Sequence, residues 1–144
     1  MRTARFAAGV LAAVASLVVA APAIAAPVGF SVVIVAHTDF TVEASAFDSN
    51  IPGCESGTVV NGVGGAHFTP WGGTFVGTKV FTCADAVSGF TVRLTARFSG
   101  GGSTGNWTLA ETRGNLAGIK GSGTLVGVPT GNTSIDDIYA GTVR

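Results

Sequence analysis

The chain has 144 residues, with 8 basic and 8 acidic side chains, so it is formally neutral, and only 11% of its residues are charged. No basic cluster offers the positive footprint of a nucleic-acid binder, and two histidines with two cysteines, scattered in sequence, make no metal-ligand motif. Nine phenylalanines, two tryptophans and a hydrophobic content of 47% argue against disorder.

The opening MRTARFAAGVLAAVASLVVAAPAIAA sets Arg2 and Arg5 before an apolar run from Phe6 to Ala21 and then closes on small residues. That is the layout of a secretory signal peptide. Ala23 and Ala25 occupy the third and first positions before a cut after Ala25, so residues 1–25 are expected to leave and residues 26–144 to form the mature protein. The run is short and built mostly of Ala and Val, whereas a membrane span needs roughly 20 strongly apolar residues. No stable membrane anchor is therefore expected, and the product is expected to be secreted. Subtracting 25 residues from 144 leaves 119, the length of a single domain, and losing two arginines leaves 6 bases against 8 acids.

In the mature part, Val, Thr, Phe and Gly dominate over the strong helix formers, which is the composition of strands and turns. FSVVIVAH (30–37), FTVEASAF (40–47) and SGTVVNGV (56–63) read as the first three strands. Cys54, in the PGC turn between the second and third, is expected to pair with Cys83 at the end of TFVGTKVFTC (74–83), because an even pair of cysteines in an exported chain makes a disulfide. FTVRLTARFS (90–99) alternates most cleanly: Phe90, Val92, Leu94, Ala96 and Phe98 on one face, with Arg93 and Arg97 on the solvent face. After the turn SGGGSTG comes NWTLAETR (106–113), then a glycine-rich strand over 118–128, the turn PTGN and a last strand over 135–143. Eight strands with short connections predict an all-β domain, an eight-stranded antiparallel up-and-down barrel, with a β-sandwich as the alternative.

The glycine-rich strand raises the question of a cavity. Gly121, Gly123 and Gly127 fall on the face that carries Ile119 and Leu125, and three inward glycines thin the wall and make room for large neighbours. Trp107, Phe90, Gly121, Gly123 and Gly127 are thus the candidate lining of an apolar ligand cavity. A sharply bent strand also accounts for these glycines.

GNLAGIKGSG, with NWTLAETR before it, resembles the turn-and-strand element of the allene oxide cyclase-like and dirigent-like barrel superfamily. Gly114, Ala117, Gly118, Gly121 and Gly123 match, whereas Glu111, Thr112 and Arg113 stand in place of a leading Gly-Gly-Thr and Leu116 in place of an aromatic. The stretch from 73 to 144 also looks like a secreted actinobacterial branch of these barrels that has no assigned role. The resemblance implies an eight-stranded barrel. It carries over no catalytic residue, because the matching positions are scaffold glycines.

Gly101-Gly102-Ser103-Thr104-Gly105 satisfies the G-x-S-x-G pattern literally, but it lies between two strands, and both histidines precede it. The nucleophile elbow needs a strand-to-helix turn, so no hydrolase is expected. No cofactor and no metal site are expected. With no acid–base pair at a recognisable spacing, a non-catalytic binding or surface module holding a small apolar molecule is favoured over the alternative, a cofactor-independent cyclase or isomerase acting on such a molecule. Material recovered from culture medium is predicted to begin at Ala26 by intact mass; a membrane-bound product retaining Met1 would refute the leader reading.

Overall fold

The computed structural model describes residues 28–144; the expected leader, residues 1–25, lies outside the described residues. The strands are β1 (Phe30–Asp39), β2 (Ser45–Ser49), β3 (Ser56–Thr69), β4 (Gly72–Cys83), β5 (Gly89–Ser99), β6 (Gly102–Arg113), β7 (Gly121–Pro129) and β8 (Ser134–Val143), with a single 3-10 turn at Gly114–Leu116. Each pairs antiparallel with its sequence neighbour, and β8 returns to β1 in ten pairs, from Phe30 with Val143 to Asp39 with Ser134. The sheet closes into an eight-stranded barrel, which rules out the sandwich alternative.

Alternation sets which side chains enter the lumen. On β5, Phe90, Val92, Leu94 and Ala96 are buried while Arg93, Thr95 and Arg97 are exposed, as the sequence pattern requires. Two elements differ from expectation. Phe40–Ala44 alternates like a strand but forms a turn, because the Asp39 carboxylate accepts from Thr41 N at 2.8 Å and Thr41 Oγ1 at 2.7 Å. That local pairing replaces the ladder bonds a longer β2 would make. The strand expected from residue 118 starts at Gly121, since Gly118 takes φ +87° in the turn that follows the 3-10 segment.

The shortness of β2 has a consequence for its neighbour. β2 pairs with β3 only from Ser56 to Val59, so Asn61–Thr69 of β3 pairs with β4 alone, and its side chains are exposed on both faces.

The end where the odd-numbered strands begin is packed solid. Phe81 and Phe90 stack at 4.7 Å between ring centres, Phe47 meets Phe81 edge-on at 5.1 Å, and Tyr139 meets Phe81 edge-on at 5.7 Å. Buried Ile51 and Leu116 join them from the β2–β3 and β6–β7 connections. The Cys54–Cys83 disulfide, with Cα atoms 5.0 Å apart, ties the β2–β3 connection to the end of β4. Closing a loop of 29 residues is worth about 3–4 kcal/mol by chain entropy.

Gly123 shows what the glycine-rich strand does. It pairs with Trp107 on β6 and Gly141 on β8, and a Cβ there would clash with Ala140 O and come within 2.6 Å of Gly141 Cα. Backbone approaches backbone, and only glycine allows it. Trp107 lies fully buried beside this seam and donates Nε1–H to Thr124 O at 3.0 Å and to Ala140 O at 3.3 Å. Substitution at Gly123 accordingly tests the fold and not a cavity. Phe81→Ala is predicted to cost about 3–5 kcal/mol and Thr95→Ala less than about 1 kcal/mol in urea titration. Equal costs would contradict the assigned inner and outer faces.

Candidate functional site

Toward the end where the odd-numbered strands finish, the lumen is not filled. A cavity of about 560 Å³ opens there, walled by Leu94, Ala96 and Phe98 of β5, Phe75 of β4, Leu125 of β7 and Ile135 of β8. Ligand pockets commonly measure roughly 300–1,000 Å³, so this space suits one small molecule. Phe40 and Phe68, both on its lining, are largely exposed.

Two charged side chains meet at the cavity. Lys79 comes from β4 and Asp137 from β8, four strands away in either direction around the barrel, so they reach toward each other across the lumen. Lys79 Nζ donates to Asp137 Oδ2 at 2.7 Å and to Thr38 Oγ1 at 3.0 Å, and Thr38 Oγ1 donates to Asp137 Oδ2 at 3.0 Å. All three residues are buried. Mutual neutralisation is what makes two charges tolerable in such a place. A smaller gap of about 80 Å³ between the Asp39–Ser45 turn and β3 also reaches Lys79, a second opening left by the short β2.

Next to Asp137 along β8, Tyr139 is fully buried, and its hydroxyl has no hydrogen-bond partner among the described residues. Burial first, and the Asp137 carboxylate second, push its pKa well above the usual phenol value.

The residues expected from sequence are distributed differently. Trp107 and Phe90 belong to the packed interior, and Gly121 and Gly123 lie in the β7–β8 seam; none of these lines the cavity. Gly127 is also outside the lining but borders it. A Cβ there would clash with Ser103 Oγ and stand 3.0 Å from Asp137 Oδ1, so its bare backbone leaves room for two residues that do line the space. Cys54 and Cys83 are disulfide-bonded. Comparison with family models, with curated proteins and with solved structures gives no match for this chain.

Ser103 sits on β6, a strand that follows the Gly100–Gly101 loop, not on an elbow before a helix. His37 lies on the outer face of β1, with Nδ1 2.8 Å from Asp136 Oδ1 and Nε2 3.1 Å from Asp48 Oδ2. Hydrogen bonding to Asp136 and then to Asp48 raises its pKa, and the trio forms a cross-strand tie on the surface away from the cavity.

Lys79, Thr38 and Asp137 escaped the sequence reading. Their parity was the available signal: Lys79 is in step with Phe81 and Cys83, and Asp137 with Tyr139 and Val143, all of them buried. Tyr139→Phe removes an unpaired hydroxyl, so it is predicted to leave stability unchanged or raise it by about 1 kcal/mol in urea titration. A loss of more than about 1 kcal/mol would show that the hydroxyl is paired.

Proposed function

We propose that this protein is a secreted binding module whose barrel holds one small apolar molecule. The observation that carries the reading is the cavity of about 560 Å³, apolar along its walls and open at one end. Exposed Phe40 and Phe68, which both line the cavity, extend the apolar surface outward from that mouth, which favours capture of a poorly soluble compound. The disulfide fits an oxidising compartment, and among the described residues no helix is long and apolar enough to cross a membrane. As part of the same reading, the chain is a divergent relative of the allene oxide cyclase-like barrels; the closed topology and the GNLAGIKGSG element support this.

A second reading, a cofactor-independent cyclase or isomerase, draws support from the ionisable pair Lys79 and Asp137 inside the open cavity. Binding without catalysis is preferred because each partner already neutralises the other. Proton transfer requires a group free to gain or release its proton at the reacting atom.

The neutral fluorescent probe N-phenyl-1-naphthylamine is predicted to bind the purified barrel with enhanced emission. Ala96→Trp, which fills the lumen from β5, is predicted to weaken that binding by at least about tenfold without changing the β signal in circular dichroism. Absence of probe binding by the wild-type protein would overturn the proposal.

A further inference from the structure

Resting on the binding reading above, we infer that the ligand is a neutral amphiphile, an apolar body ending in a hydroxyl or carboxamide that docks on the Lys79–Asp137 pair. Lys79 Nζ carries three N–H donors, and two of them are engaged by Thr38 Oγ1 and Asp137 Oδ2. Asp137 Oδ2 accepts from both Lys79 and Thr38, whereas Oδ1 accepts from no protein group among the described residues. The pair therefore has one donor and one acceptor to spare. A hydroxyl or carboxamide can answer both at once, while an ether or a hydrocarbon cannot.

Charge narrows the choice further. Among the described residues Lys79 and Asp137 are the only charged ones on the cavity wall, and together they sum to zero. A ligand carboxylate would place a second anion beside Asp137, and a ligand ammonium a second cation beside Lys79. Either intruder also loses its hydration among Leu94, Leu125 and Ile135. A neutral polar end avoids both penalties and fills hydrogen-bonding capacity that an apolar end would leave unmet.

The test is displacement of N-phenyl-1-naphthylamine from the wild-type protein at pH 8 by four compounds of matched chain length: decan-1-ol, 1-methoxydecane, decanoate and decylammonium. Decan-1-ol is expected to displace the probe at concentrations at least about tenfold below those of either ion. It is also expected to outcompete 1-methoxydecane, even though the ether is the more apolar compound. Asp137→Asn should shift the preference to decanoate, and Lys79→Met to decylammonium. If either variant fails to fold, the order on the wild-type barrel decides alone. Displacement of the probe by the ether or an ion at concentrations equal to or below those of the alcohol would overturn the head-group inference and leave the binding reading standing. Failure of the probe to bind at all would remove both.

Discussion

The salt bridge from Lys79 to Asp137 crosses the lumen between strands on opposite sides of the barrel, and it marks where the filled half ends and the open half begins. Its position is costly to disturb. Removing one partner of a buried pair leaves the other charge uncompensated, at about 3–5 kcal/mol, whereas the intact pair adds little net stability over well-packed apolar residues. A pair of this kind is poorly explained by stability alone. Placed against an apolar cavity, with hydrogen-bonding capacity left over, it gives a polar foothold at one end of a space that otherwise repels water.

The two halves of the barrel follow from side-chain volume. On the closed side, Phe47, Phe81, Phe90, Trp107 and Tyr139 pack edge-on or stacked, and the disulfide fastens the connection beneath them. On the open side the walls are Leu94, Ala96 and Phe98 of β5 and Leu125 of β7, with the small Gly102 and Ser103 on β6, and they leave the space unfilled. The same circumference thus encloses a solid core at one end and a cavity at the other. The short β2 adds a side gap and leaves the upper part of β3 with one strand partner instead of two.

Much of this was legible in the sequence. The alternation over 90–99 places Arg93 and Arg97 outside and the phenylalanine row inside, because the period of two in a strand admits no other arrangement once one face is apolar. Eight strand-like segments with short connections led to a meander, and Cys54 with Cys83 to a disulfide. The candidate site was less legible. Trp107 and Phe90 have the size and apolarity of cavity walls, but the same qualities make them core residues, and hydrophobic pattern alone does not say which end of a lumen is full. Lys79 carried no signal of its own, because burial of a charge depends on a partner, and the partner lies 58 residues away.

By itself the sequence determined the faces of the strand over 90–99, the all-β class and the disulfide, since each depends on spacing along the chain or on the chemistry of a residue pair. Tertiary structure decided for the closed barrel over the sandwich alternative, and it alone decided that Phe40–Ala44 turns where it alternates and that Thr38, Lys79 and Asp137 converge. These depend on closure, which brings distant strands face to face across a lumen. No local pattern records what stands on the other side.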